Sequence, residues 1–135
     1  MAVKMSVIVR NAELNGIETA IGESAVLKIR TGAPPTNIAD ADSGTILATL
    51  SLPTDWMGDA TNGSKAKAGT WQDTQADAPG DAGHFRVYAS DGTTQHIQGT
   101  ITATGGGGDM TLDNISIATN QQVTITGFTL TAGNA

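Results

Sequence analysis

The sequence predicts an all-β fold: a jelly-roll-like antiparallel β-sandwich of about eight short strands, preceded by a short N-terminal helix and arm. Three observations point there. Charged residues make up 15% of the chain and aromatics 4%, against about 25% charged in an average soluble protein. The polarity comes instead from Thr, Ser, Asn, Gln and Gly, which suit pleated half-exposed surfaces and turns. Beyond Gly22 the apolar residues alternate with a period of two. Gly, Pro and Asp-Gly signals then break the alternating runs at short intervals. A length of 135 residues suits one domain, with arm and helix at 1–22 and sandwich at 23–135.

Each element has a local reason. Leu14, Ile17 and Ile21 share one helical face, so a helix is expected from about Asn11 to Ile21. Asn11 can cap its start, and Gly22 can take the left-handed position at its end. The preceding MAVKMSVIVR reads as a mobile arm or an edge strand. Ala25, Leu27 and Ile29 alternate with Val26, Lys28 and Arg30, and Pro34-Pro35 then stops the ladder. Ile46, Ala48, Leu50 and Leu52 form the next inward set. Ala66 and Ala68 alternate with Lys65 and Lys67 in a weaker strand, and another surrounds Trp71.

Phe85, Val87 and Ala89 are expected inward, with His84, Arg86 and Tyr88 outward. Asp91-Gly92 signals a hairpin into Ile97, Gly99 and Ile101. Gly105 to Gly108 reads as a flexible loop. After the pairs Met110/Leu112 and Ile115/Ile117, the run Val123 to Leu130 slips phase at Gly127, which reads as a β-bulge.

Composition excludes several function classes. A net charge of −6, with only Asp91, Asp109 and Asp113 charged beyond Arg86, argues against nucleic acid or an anionic membrane as partner. Without cysteine there is no disulfide framework and no thiolate metal site. No apolar run approaches the roughly 20 residues of a membrane span. The N-terminus lacks a signal-peptide design, so synthesis in a cytoplasm is expected.

Candidate sites are few. Asp40-Ala41-Asp42-Ser43-Gly44 offers two carboxylates to Ca²⁺, but no bidentate Glu follows, and a polar turn is the simpler expectation. His84 and His96 flank the hairpin without a spaced ligand motif, so no metal or other cofactor is assigned. No serine sits in Gly-x-Ser-x-Gly and no phosphate loop occurs, so no catalytic residue is assigned and the chain reads as a non-enzyme. Trp56 and Trp71 either plug the ends of the sandwich or anchor a partner, sugars included. The candidate contact set is Val3, Met5, Val7, Ile8, Val9, Leu14, Ile17, Trp56, Met57 and Trp71.

One resemblance covers nearly the whole chain. Its residues are Asn11-Ala12 with Leu14, Ile17 and Ile21-Gly22; Leu27-Lys28-Ile29; Gly32-Ala33-Pro34-Pro35; and Ser43-Gly44-Thr45 with Leu47-Ala48-Thr49-Leu50. Asp91-Gly92-Thr93 and the closing Val123 to Leu130 complete it. In these the chain resembles small structural proteins of tailed phages and prophages, among them capsid decoration or cement proteins with a jelly-roll fold. The resemblance implies a protein on the outside of a capsid, clamping neighbouring major capsid protein subunits, itself a dimer or trimer on the shell. A tail, baseplate or fibre component and a carbohydrate-binding module are the alternatives.

Overall fold

The computed structural model describes residues 3–135. Its one helix, α1, runs Val7–Ile21. The Ser6 hydroxyl accepts from Val9 N–H, and Gly22 closes the helix at φ 94° with its N–H on Glu18 O. The helix therefore begins one turn before Asn11. Ser6 is the better cap, and Val7–Arg10 are helical rather than arm or edge strand. Met5 N–H also bonds Asn134 O at 2.7 Å, tying the start of the chain to its end. Leu14 and Ile21 are buried and Ile17 half-buried, as their spacing predicts.

The main sheet has the order β2-β1-β5-β6-β7. Its strands are β1 (Val26–Thr31), β2 (Ile46–Ser51), β5 (Gly80–Tyr88), β6 (Gln95–Ala103) and β7 (Met110–Leu112). Short β8 (Ser116–Ile117) pairs with the start of β5. Two smaller ladders complete the all-β, sandwich-like fold, with ten strands among the described residues: β3 (Ser64–Ala66) with β10 (Thr129–Thr131), and β4 (Trp71–Asp73) with β9 (Val123–Ile125). All pairings between these strands are antiparallel except β6 with β7. A parallel pair normally needs a crossover of about a dozen residues. Here Gly105 (φ 88°) and Gly107 (φ 81°) turn the chain within the tetraglycine, and Gly108 N–H bonds Thr102 Oγ1. The glycine run is thus an exposed loop tied back to β6 at its end.

One face of the main sheet builds the core. Leu27 lies between Leu50 and Val87, and Ile29 between Ala48 and Phe85. The rings of Phe85, Phe128, Trp71 and Trp56 follow one another with centroids 5.6–6.0 Å apart, joining the sheet to the smaller ladders. Trp56 and Trp71 are 0% exposed and Met57 1%. Their indoles donate to Gly22 O and Ala68 O. They plug the core, so these three candidate contact residues, and Leu14 with them at 2%, are packing residues in this fold.

Three further expectations change. Lys65 is buried and Ala66 exposed, the reverse of the alternation, because the ammonium reaches Asn15 Oδ1, Gly58 O and Glu18. Gly127 is not a bulge in one strand. The chain leaves β9 after Ile125 and enters a different ladder at Thr129, with Phe128 dropped into the core between them. His84, Arg86 and Tyr88 point away from the core but are all 0% exposed, because the segment Gly32–Thr45 folds over that face.

Candidate functional site

The second face of the sheet is set by register. Lys28 pairs with Arg86, Arg30 with His84, and Arg86 with Gln98, so these side chains stand together. Asp42 descends from the Gly32–Thr45 segment onto them. Its Oδ2 accepts from Arg30 at 2.9 Å, and its Oδ1 accepts from Arg86 at 2.9 Å and from the Tyr88 hydroxyl at 2.7 Å. Arg86 also donates to Gln98 Oε1 and Asp40 O, and Gln98 donates to Pro35 O. His84 Nδ1–H donates to Gly32 O at 2.8 Å, and that carbonyl requires the Nδ1-protonated tautomer. The ends of the segment are glycines at φ 78° (Gly32) and 72° (Gly44). Gly83 lets Gly32 approach closely, since a Cβ there would lie 2.3 Å from Gly32 O.

The Asp-Ala-Asp-Ser-Gly loop is therefore neither a calcium loop nor a plain surface turn. One carboxylate pairs with two guanidinium groups that have largely left water, one of them completely. Burial pushes the Asp42 carboxyl up, but the Tyr88 hydroxyl, Arg30 and Arg86 outweigh it, and the group sits below the usual 3.8. Burial pushes the Tyr88 hydroxyl up, and Asp42 adds to that. Burial, with Arg30 and Arg86 nearby, holds the His84 imidazole below 6.5, against the opposing Gly32 bond. The cluster is a latch: it fixes a segment to a sheet. Among the described residues no three His, Asp or Glu side chains gather as metal ligands. His84 is buried opposite Thr100 while His96 is exposed, so the two histidines are not brought together as a site.

The His84 and Asp42 shifts give the same sign of pH dependence. His84 is held neutral in the fold, so the unfolded chain takes the proton first. Its contribution is complete above 6.5 and falls as pH drops below that. The Asp42 contribution is present above 3.8 and lost as pH falls through its lower folded value. The melting temperature is expected to fall between pH 7.5 and 5.5, and the fall should largely vanish in His84→Asn, which keeps a donor for Gly32 O. Calorimetry at fixed ionic strength checks this. An equal slope in the variant would remove His84 from the account.

Of the remaining candidate contact residues, Ile17 packs against the core and the other five cluster at the start of α1. Val3 and Ile8 are 77% exposed, Val9 49% and Val7 40%, with Met5 half-buried beside them. The side of this helix that faces the protein mixes hydrogen-bonding residues with the buried Leu14 and Ile21. Arg10 donates to Ala132 O, Asn11 Oδ1 accepts from Gly63 N–H, Asn15 Oδ1 from Ala60 N–H, and Glu18 pairs with Lys65. At its first turns the helix thus leaves branched aliphatics outside while Arg10 and Asn11 bond to the body of the protein. Sequence reasoning found these aliphatic residues. It missed the latch, because residues 42, 30 and 86 meet only through tertiary structure. Comparison of the chain with protein-family models, with curated proteins and with solved structures finds no match.

Proposed function

We propose that this chain is a structural binding protein that docks on a partner through the outward aliphatic end of α1, and that the partner is the outside of a tailed-phage capsid, where it clamps neighbouring major capsid subunits. The observation that supports a docking role is the cluster of exposed aliphatic residues at the start of α1: Val3, Val7, Ile8 and Val9 stay in water although Leu14 and Ile21 further along are buried. Covering those aliphatic side chains releases water from apolar surface and so drives association. A protein that binds only the assembled shell stabilises it by mass action and needs contact surfaces rather than a catalytic pocket. The capsid as partner rests on the resemblance.

The test uses heads built from the major capsid protein of the same phage or prophage, with this chain left out. Purified protein is mixed with expanded heads, unexpanded heads or tails, sedimented and imaged. Stoichiometric binding at symmetry-related positions on expanded heads is expected. Ile8→Asp is expected to abolish that binding while shifting stability by no more than about 0.5 kcal/mol, as for a surface site. Attachment to tails alone would replace the capsid by the tail, and attachment of Ile8→Asp as tight as the parent would remove α1 from the interface.

A further inference from the structure

The ladder of β10 with β3 leaves one edge open. Phe128 O accepts from Lys67 N–H, and Ala132 N–H donates to Gly63 O. Leu130, opposite Lys65, therefore also turns its main-chain groups to β3, because successive residues of a strand face opposite sides. Thr129 and Thr131 turn theirs the other way, and none of the described hydrogen bonds uses them. Across from this edge lies the first half of β6. Thr100 N–H is taken by Asp109 Oδ2, away from β5. By the same alternation the N–H and C=O of Gln98 also face outward, ahead of the point where β7 joins at Ile101.

Between the two edges is a hollow of about 340 Å³. Phe85 and Phe128, edge to face at 5.6 Å, form its floor. The Phe85 ring lies directly against Gly99, where a Cβ would meet it at 2.8 Å. Asp109 is the one charged residue in the lining, and the described hydrogen bonds to its carboxylate all go to Oδ2. The site thus has unpaired main-chain donors and acceptors, an aromatic floor and one carboxylate.

We propose that this groove takes an extended segment of a partner protein as an added strand on β10, with an apolar side chain on the Phe85–Phe128 floor and a Lys or Arg side chain at Asp109. Main-chain bonds along an open edge supply affinity in strand addition, and alternate side chains supply selectivity. Asp109 selects a basic segment over the acidic surface of a second copy, whose net charge is −6. The groove lies on elements other than α1, and the inference stands apart from the capsid reading.

The probe is the peptide acetyl-Lys-Thr-Val-Thr-Val-Thr-Lys-amide, added to the ¹⁵N-labelled full chain and followed by amide shifts and hydrogen exchange. Without peptide, Thr129 and Thr131 amides should exchange fast and those of Leu130 and Ala132 slowly. With it, saturable shifts are expected at Gln98, Thr129 and Thr131, and these amides become protected. A version N-methylated at alternate residues, and the protein variant Thr131→Pro, which removes only an outward N–H, should each bind about tenfold more weakly. Asp109→Asn keeps an acceptor for Thr100 and should weaken the lysine peptide but not its glutamine analogue. Absence of shifts, equal binding of the N-methylated peptide, or an unchanged lysine preference in Asp109→Asn would each overturn the proposal. So would protection of Thr129 and Thr131 that grows with protein concentration alone, because the occupant would then be a second copy.

Discussion

Replacing Asp42 with Ala is expected to destabilise the fold by about 3 kcal/mol, the lower end of the range of about 3–5 kcal/mol for breaking a buried ion pair. The carboxylate serves Arg30, Arg86 and Tyr88 at once. Arg86 is 0% exposed, so its charge cannot simply return to water. The lower end applies because Asp42 itself is 36% exposed and because Gln98 and Asp40 O still hold Arg86. Asp42→Asn should recover part of the loss through an acceptor, but not the charge. Combining Asp42→Ala with Arg86→Met should cost less than Asp42→Ala alone, since an apolar side chain of similar length needs no counter-charge. Urea unfolding of the set measures all three. A cost for Asp42→Ala below about 0.5 kcal/mol, the size of an ordinary surface change, would show that the segment is not latched.

Trp71→Ala is expected to cost about 3–5 kcal/mol, the range for truncating a buried large aromatic. Trp71 stands between Trp56 and Phe128, with ring centroids at 6.0 and 5.8 Å, and so links β4 to both ends of the aromatic row. Its indole N–H bond to Ala68 O is lost as well. The contrast with Ile8→Asp is the useful one. A core residue moves stability, whereas a contact residue moves binding with little change in stability. Thermal unfolding of the two variants side by side separates the roles. A neutral Trp71→Ala would return Trp71 to the contact set.

The burial of Trp56 and Trp71 bears directly on sugar binding, since neither indole can offer a stacking face in this fold. Val7, Ile8 and Val9 were recognisable as candidate contacts from the sequence as part of an N-terminal arm expected to order on a partner, but not as the first turn of α1. That Asn11 is spent on Gly63 N–H rather than on capping the helix was not recognisable. It depends on where the turn at residue 63 falls in space.

Period-two patterning and turn residues determined, without any coordinates, that this chain is all-β with one leading helix. Leu27, Ile29, Phe85 and Val87 were placed on the core face correctly, because alternation is a local property of an extended backbone. The Asp91-Gly92 turn and the Gly22 helix end followed for the same reason, each being decided by residues next to it. Only the tertiary structure decided what covers the other face. Alternation places His84, Arg86 and Tyr88 away from the core, but whether that side meets water or another segment depends on a residue 44 positions from Arg86. Pairing across that distance is set by loop path, register and charge together, none of which is written in a local pattern. The same holds for the parallel β6–β7 pair, the change of ladder at Gly127 and the open edge of β10, which exist only once the strands have chosen their neighbours.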